Sequence, residues 1–128
     1  MRQHLSQQQL DAINALSAEQ RYDDFIENIV EQNAVWSLFS EQGWAIVSDS
    51  GEEFLPVWHH ADLAALWITG GYSDCQPKTI FLNDWLEKWL PGMDSDNIMI
   101  AVCPDVVGEG IVVSAAELRE DLQRVINQ

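Results

Sequence analysis

The chain has 128 residues, a length that suits one domain with a hydrophobic core of its own. Hydrophobic residues make up 47% of it and charged residues 21%, proportions typical of globular proteins and unlike those of disordered chains. The 21 acidic and 6 basic residues give a formal net charge of −15, which disfavours binding to nucleic acids or anionic membranes and permits a basic protein partner.

The sequence predicts a cytoplasmic protein. No apolar run approaches the roughly 20 residues of a membrane helix, and the opening residues, MRQHLSQQQL, lack the apolar segment of a signal peptide. We expect a single domain over residues 1–128, in which residues 17–126 form the core and residues 1–16 a weakly attached helix. The acidic residues are spread from Asp11 to Asp121, which favours a solvated face. Whether the acidity serves a function or is an adaptation to the habitat stays open.

Two helices are predicted first. Ser6 with Gln9, and Ser17 with Gln20, have the spacing of capping boxes, in which the serine accepts a backbone N–H and the glutamine returns the bond. After Ser17, apolar and aromatic side chains recur at helical spacing, at Tyr22, Phe25, Ile26, Ile29 and Val30. The second helix is therefore the firmer of the two.

Three strands are predicted next. AVWSLF and WAIV are short runs rich in β-formers, joined by a turn that contains Gly43, and this pattern predicts a hairpin. EFLPVW is the third run. Because Pro56 cannot donate a hydrogen bond to a neighbouring strand, we expect this strand at the edge of a sheet or Pro56 near the end of the strand.

Helices and strands alternate in the second half of the chain. HADLAALWITGG predicts a short helix that stops at Gly70–Gly71, and KTIFL predicts a strand. A helix from Leu82 to Pro91 follows, then NIMIAVC as a central strand buried on both faces, then GIVV. Ser114 and Glu117 have capping-box spacing at the start of the last helix. The order ααβββαβαββα indicates an α+β domain, with a mostly antiparallel sheet of about five to six strands and helices packed largely on one face.

Trp85 and Trp89 raise the question whether their helix packs on the core or docks a partner. At about 100° per residue, both tryptophans fall on one side of the helix with three leucines, and charged and amide side chains occupy the other side. We therefore predict core packing.

The following MDSDN brings Asp94 and Asp96 together, but apolar residues then fill the positions where a calcium loop needs a ligand and a glycine. A solvated turn is expected there.

The residues that most often carry chemistry form no recognisable constellation. Cys75 and Cys103 are far apart and are predicted to be reduced and unreactive. His59 and His60 are adjacent, so their rings point to opposite faces of an extended chain and cannot share a metal; we predict capping or surface roles. No nucleophile elbow, phosphate loop or basic cluster occurs. We predict no catalytic residue, metal or cofactor.

Two tryptophans outside that helix are expected to be partly exposed. Trp44 follows the predicted turn at Gly43, and Trp58 precedes the next predicted helix. A ligand pocket lined by one or two of the four tryptophans outside that helix, Trp36, Trp44, Trp58 and Trp67, stays open as an alternative. The candidate partner contacts are Trp44, Trp58, Glu52, Glu53, Asp94 and Asp96.

One segment resembles a known family. WLEKWLPG, residues 85–92, matches an FLxxWLPG-like signature, and AVW and the Pro-x-Trp of Pro56 to Trp58 add to it. Together they resemble, over residues 17–126, a family of small bacterial proteins known only as a domain of unknown function. The resemblance implies no established activity, cofactor or catalytic residue. His59 and His60 stand where that family often has a serine or threonine, so no role of such a hydroxyl carries over.

LPVW with ADLAAL is also similar, in fold only, to the N-terminal part of the adaptor-like serine-sensitivity-enhancer family.

Three functions are consistent with the sequence. The first is a non-enzymatic interaction module, adaptor-like or immunity-like, that binds a basic protein through its negative charge. The second is a small-ligand-binding protein or enzyme with a tryptophan-lined pocket. The third is a structural homodimer formed through the edge strand that carries Pro56. Either a monomer or a homodimer is compatible with the sequence.

Overall fold

The computed structural model describes residues 6–49, 51–68, 72–104 and 110–127. The helices there are α1 (Gln7–Ala15), α2 (Ala18–Gln32), α3 (Ala61–Ala65), α4 (residues 82–96) and α5 (Ala115–Ile126); the strands are β1 (Ala34–Ser40), β2 (Gly43–Trp44), β3 (Val47–Asp49), β4 (Glu52–Val57), β5 (Gln76–Phe81), β6 (Ile98–Val102) and β7 (Ile111–Val113). The predicted α+β class is confirmed, as is mostly antiparallel pairing, since β4 with β6 is the one parallel pair among five. Within these residues no helix combines the length and the apolarity needed to cross a membrane.

The strands form two sheets, with the orders β2-β1-β5 and β3-β4-β6-β7. The sequence predicted one sheet of about five to six strands because it read WAIV as a single strand, whereas the described residues form seven strands. In the structure the backbone bends at Ala45 and Ile46, so that β2 pairs with β1 and β3 pairs with β4. The two sheets meet at an antiparallel bridge: the N–H of Trp36 donates to the carbonyl of Trp58 at 2.9 Å, and the reverse bond is 2.8 Å long. The predicted hairpin of β1 and β2 is confirmed, with Gly43 at φ +111°.

Strand β4 is not an edge strand, since β3 and β6 flank it. The alternative, that Pro56 lies near the end of its strand, is confirmed. The ladder with β3 reaches only as far as Phe54, so the missing N–H of Pro56 disrupts no pairing with β3. The Pro56 carbonyl accepts a hydrogen bond from the Ser37 hydroxyl at 2.7 Å. A homodimer formed through a free edge of β4 therefore loses its structural basis.

Strand β6 lies between β4 and β7, as the central strand that its apolar run predicted. Ile100 and Val102 are buried, while Met99 and Ala101 on the other side are only partly buried, so the predicted burial of both faces is met on one face alone. The core that this strand helps to build draws on every layer of the fold; its largest fully buried side chains include Phe25, Ile29, Leu38, Leu55, Trp58, Trp85, Leu90, Ile100, Leu118 and Leu122.

Helix α4 runs through the predicted stop at the Pro-Gly pair and continues to Asp96. Its three parts are Leu82–Asp84, Trp85–Trp89 and Leu90–Asp96, of which the middle one is π-helical. There the N–H of Leu90 bonds to the carbonyl of Trp85, five residues back. In a regular α-helix the ring of Pro91 would collide with the carbonyl four residues earlier, and the wider π-turn just before it relieves that conflict. The predicted stop is therefore wrong, and the helix ends at Asn97, which has a left-handed φ of 58°.

The core packing predicted for α4 is confirmed. Leu82, Trp85 and Leu90 are 6% exposed or less, so the helix directs this face into the core. Trp89 is only partly buried and packs at the margin of the core. The outer face of the helix carries an ion pair between Asp84 and Lys88, 3.6 Å apart.

Helix α3 is short and begins at His60. The Nδ1 of His60 accepts the N–H of Asp62 at 3.0 Å, so the capping role predicted for this histidine is confirmed. The helix is α-helical up to Ala65. The predicted stop at Gly70–Gly71 lies outside the described residues.

Serine caps begin α1, α2 and α5. Ser6 and Ser17 form complete capping boxes; in the second, the Ser17 hydroxyl accepts the N–H of Gln20 at 3.2 Å and the Gln20 side chain accepts the N–H of Ser17 at 3.0 Å. The third box is half formed. The Ser114 hydroxyl accepts the N–H of Glu117 at 3.1 Å, but the Glu117 carboxylate accepts from that hydroxyl, at 3.3 Å, and not from the backbone.

The two complete boxes should differ in their effect on stability. We expect Ser17→Ala to lower the free energy of unfolding by about 1 kcal/mol, because the first turn of α2 carries the buried Arg21, which donates hydrogen bonds to the carbonyls of Leu16 and Cys103. Ser6→Ala should cost less than about 0.5 kcal/mol, since α1 has no buried residue. Urea unfolding followed by tryptophan fluorescence measures both losses. Equal losses would contradict this and would show that α1 unfolds together with the core.

Candidate partner-binding surface

Trp58 is buried, with 2% of its surface exposed. It follows β4 directly, and its backbone pairs with Trp36 at the junction of the sheets. Its indole N–H donates to the carbonyl of Pro104 at 3.2 Å, and its ring packs edge-to-face against Trp67 with the ring centroids 5.5 Å apart. The predicted partial exposure is wrong because strand pairing carries this residue into the core. Trp58 is therefore no partner contact in this fold.

The acidic candidates gather at one end of the molecule. Glu52 and Glu53 begin β4, while Asp94 and Asp96 lie in the last turn of α4 and not in the solvated turn that the sequence predicted. In the pairing of β4 with β6, Glu53 is opposite Ile98, two residues after Asp96. All four of these acidic residues are exposed. We call Glu52, Glu53, Asp94 and Asp96 the acidic end.

The four carboxylates of the acidic end have no ion-pair partner among the residues that the structure describes. Carboxylates elsewhere do have such partners: Asp84 lies 3.6 Å from Lys88, and Asp121 lies 3.3 Å from Arg124. The C-terminal end of α4 adds the negative pole of the helix dipole at Asp94 and Asp96. In the described part of the chain, no group of three or more histidine, cysteine, aspartate or glutamate residues could hold a metal ion. This end therefore presents negative charge that its own side chains do not neutralise.

Trp44 is partly exposed, as predicted, and belongs to a group of three aromatic side chains. Its ring packs edge-to-face with Phe39, its cross-strand partner, at a centroid distance of 5.0 Å. It packs in the same way with Trp89 of α4, at 4.8 Å and an interplanar angle of 89°. The Nζ of Lys78 lies 4.1 Å from the centroid of the Phe39 ring and 5.6 Å from that of Trp44. We call Phe39, Trp44 and Trp89 the aromatic cluster.

Sequence reasoning did not identify Phe39 or Lys78 as part of a site. Lys78 is opposite Ser37 in the ladder of β1 with β5, and Ser37 and Phe39 lie on the same face of β1. The Lys78 side chain therefore reaches diagonally across to the Phe39 ring. This contact depends on the register of two strands that are distant in sequence. No local pattern reports such a register.

His59 and Cys103 form a buried pair just beyond the ends of the parallel strands β4 and β6. Only 7% of His59 is exposed, and its Nδ1 lies 3.2 Å from the Sγ of Cys103, so the predicted surface or capping role of His59 is wrong. Cys103 adopts a left-handed φ of 46°, which is strained for a residue with a side chain. Two bonds hold it there: its N–H donates to the carbonyl of Val57 at 2.8 Å, and its carbonyl accepts from Nε of Arg21 at 3.1 Å.

Burial keeps this pair uncharged at neutral pH. Burial raises the pKa of Cys103 to about 12. Burial, with a smaller contribution from the charge of His60, lowers the pKa of His59 to about 4. A cysteine nucleophile reacts as the thiolate, which is not formed under these conditions. Both cysteines are free, as predicted, and the pKa of Cys75 is also raised, by burial and then by the charge of Asp74.

A small cavity lies beside this pair, between Trp58, Trp67 and Arg21. Its volume is about 10 Å³, room for about one water molecule, whereas ligand pockets typically measure about 300–1,000 Å³. Two shallow grooves of about 270 and 240 Å³ run along α5, against α4 and α2 respectively, and no tryptophan lines either of them. The cavity at Trp58 and Trp67 is therefore too small to be the tryptophan-lined ligand pocket that the sequence left open.

Comparison with known proteins agrees with the resemblance seen in the sequence. A family model described as "Protein of unknown function (DUF2750)" matches residues 22–122. This span contains the acidic end, the aromatic cluster and the buried His59–Cys103 pair, and it leaves out α1. No curated protein matches the chain. Because the family model covers most of the sequence, the chain belongs to the DUF2750 family of proteins of unknown function.

Proposed function

We propose that this protein is a non-enzymatic interaction module that binds a basic protein through the acidic end. One observation carries the proposal: the fold brings four exposed carboxylates from two separate elements to one end, and no described residue forms an ion pair with them. The neutral, buried state of the His59–Cys103 pair supports the absence of catalysis by that thiol.

A positive charge on the partner would mainly speed up association. Like charges held close together repel one another, and the net charge of −15 extends that field beyond the acidic end. A positively charged surface that approaches the acidic end lowers this repulsion and is attracted over a Debye length of about 10 Å at 0.1 M salt. Such steering acts mainly on the association rate constant and much less on the dissociation rate constant.

The proposal predicts a strong salt dependence. With the partner purified after capture from the native lysate, the association rate constant should fall by about tenfold or more between roughly 0.05 and 0.5 M sodium chloride. The dissociation rate constant should change much less. Stopped-flow tryptophan fluorescence measures both constants. An association rate constant that does not depend on salt would overturn the electrostatic part of the proposal.

A pair of charge-matched variants tests the location. One variant neutralises the acidic end with Glu52→Gln, Glu53→Gln, Asp94→Asn and Asp96→Asn. The control neutralises four exposed acids along the outer face of α2, with Glu19→Gln, Asp23→Asn, Glu27→Gln and Glu31→Gln. Both variants change the net charge equally, so a general field effect would slow association equally. We expect the first variant to lose most of the salt dependence and the control to keep most of it; equal effects would contradict the assignment to the acidic end.

A further inference from the structure

The aromatic cluster already holds a cation that belongs to the chain itself. The ammonium group of Lys78 sits over the face of Phe39 and also faces Trp44, within the distance range of a cation–π contact. Lys78 is exposed, and it forms no ion pair with any residue in the described ranges. Its contacts with the aromatic rings therefore hold the Lys78 ammonium group in place.

The geometry of the cluster suits an alkylammonium group. Trp44 packs edge-to-face with both of its neighbours, at 69° to Phe39 and 89° to Trp89, and the Lys78 ammonium group faces the Phe39 and Trp44 rings. All three side chains are only partly buried, and part of their surface is open to solvent. Rings set at such angles can surround a cation on more than one side, which is how aromatic cages recognise ammonium groups.

The acidic end lies next to the aromatic cluster along α4. Trp89 and Asp96 are seven residues apart, which places them on the same side of a helix and about 10 Å apart along its axis. A segment with two or more positive charges could therefore contact both surfaces at once. The net charge of −15 disfavours an acidic segment at this place.

We propose that the aromatic cluster is a binding site for a lysine side chain of the basic partner, and that Lys78 occupies it in the free protein and is displaced on binding. This inference rests on the proposed function for the source of the lysine. The site can be tested without the partner, because Phe39, Trp44 and Trp89 should accept any alkylammonium group as small as that of a lysine side chain. Displacement by a like group leaves the cation–π contacts intact, so Lys78 acts as an internal competitor that lowers the apparent affinity.

A small probe tests the site without the partner. Nα-acetyl-lysine amide supplies the ammonium group, and Nα-acetyl-norleucine amide has the same chain without the charge. Binding is followed by the NMR shifts of the Trp44 and Trp89 indole N–H groups in the full chain. We expect a saturable shift with the lysine probe and none with the norleucine probe. No saturable shift with the lysine probe, in either the wild-type chain or Lys78→Met, overturns the proposal.

Two lysine variants with the same charge change identify the competitor. Lys78→Met frees the rings and should raise the affinity for the lysine probe about two- to fivefold, the strength of an exposed cation–π contact. Lys88→Met removes the same charge at a residue that pairs with Asp84, and should leave the affinity unchanged apart from the shared effect of charge. Trp44→Leu should abolish binding of the probe. Equal affinities in the two lysine variants, or retained binding in Trp44→Leu, would overturn the proposal.

These outcomes separate the site from the proposed function. If the probe binds as expected but the partner shows no salt dependence, the aromatic cluster stands and the role of the acidic end fails. If the partner is steered by salt-sensitive charge but the probe does not bind, the acidic end stands and the lysine site fails.

Discussion

Replacing Trp58 by alanine is expected to lower the free energy of unfolding by about 3–5 kcal/mol, a large part of the stability of a domain of this size. The residue is 2% exposed, so the change removes a fully buried indole and leaves a cavity. It also leaves the Pro104 carbonyl without the indole N–H that donates to it, and it removes the edge-to-face contact with Trp67. The position adds to the cost, because Trp58 lies at the bridge that joins the two sheets.

Trp44→Ala is the matched comparison, because it deletes the same side chain from a partly exposed site. We expect a loss of about 1–2 kcal/mol there, from contacts with Phe39 and Trp89 that are only partly shielded from water. Denaturant unfolding followed by circular dichroism gives both values. Similar losses in the two variants would contradict the assignment of Trp58 to the core and Trp44 to the surface.

Acidification is expected to destabilise the protein through His59. The pKa of this buried imidazole is about 4 in the folded chain and about 6.5 in the unfolded chain, so between these values the unfolded state binds more protons. The stabilising contribution is complete above pH 6.5 and is lost as the pH falls towards 4. The shift corresponds to about 3 kcal/mol at 1.4 kcal/mol per pKa unit, for a side chain that is 7% exposed.

His59→Asn provides the reference for this prediction, because the many carboxylates of the chain titrate in both proteins. The variant should be less stable at pH 7, where it loses the contacts of the ring with Cys103 and Phe25. Between pH 7 and pH 4, however, the wild-type protein should lose about 3 kcal/mol more than the variant does. Urea unfolding at a series of pH values measures the difference. Parallel pH profiles would show that His59 is not held uncharged by the fold.

Several elements were predictable because their signals are local. The serine and glutamine of each complete capping box are three residues apart, and Gly43 begins β2 directly after the turn that joins it to β1. The helix of Trp85 faces the core because its apolar stripe has the period of a helix. In each case the residues that decide the structure lie within a few positions of one another.

The errors have a common cause in contacts between distant segments. Pro56 suggested an edge strand, but β4 acquires its second neighbour from β6, more than forty residues later. Pro91 suggested the end of a helix, but a π-turn just before it accommodates the proline, and the helix continues with Leu90 buried in the core. Trp58 and His59 looked exposed because a turn was expected to follow, yet both are covered by Cys103 and Pro104.

The sequence by itself determined the α+β class, the order of most elements, the caps and the acidic character of this protein, because composition and short-range periodicity suffice for these. The tertiary structure alone decided which candidates form a surface. It buried Trp58 in the core, brought Glu52, Glu53, Asp94 and Asp96 to one end, and placed Lys78 on the aromatic cluster. The physical reason is register: which residue lies opposite which is fixed by the pairing of strands distant in sequence, and no local pattern contains it.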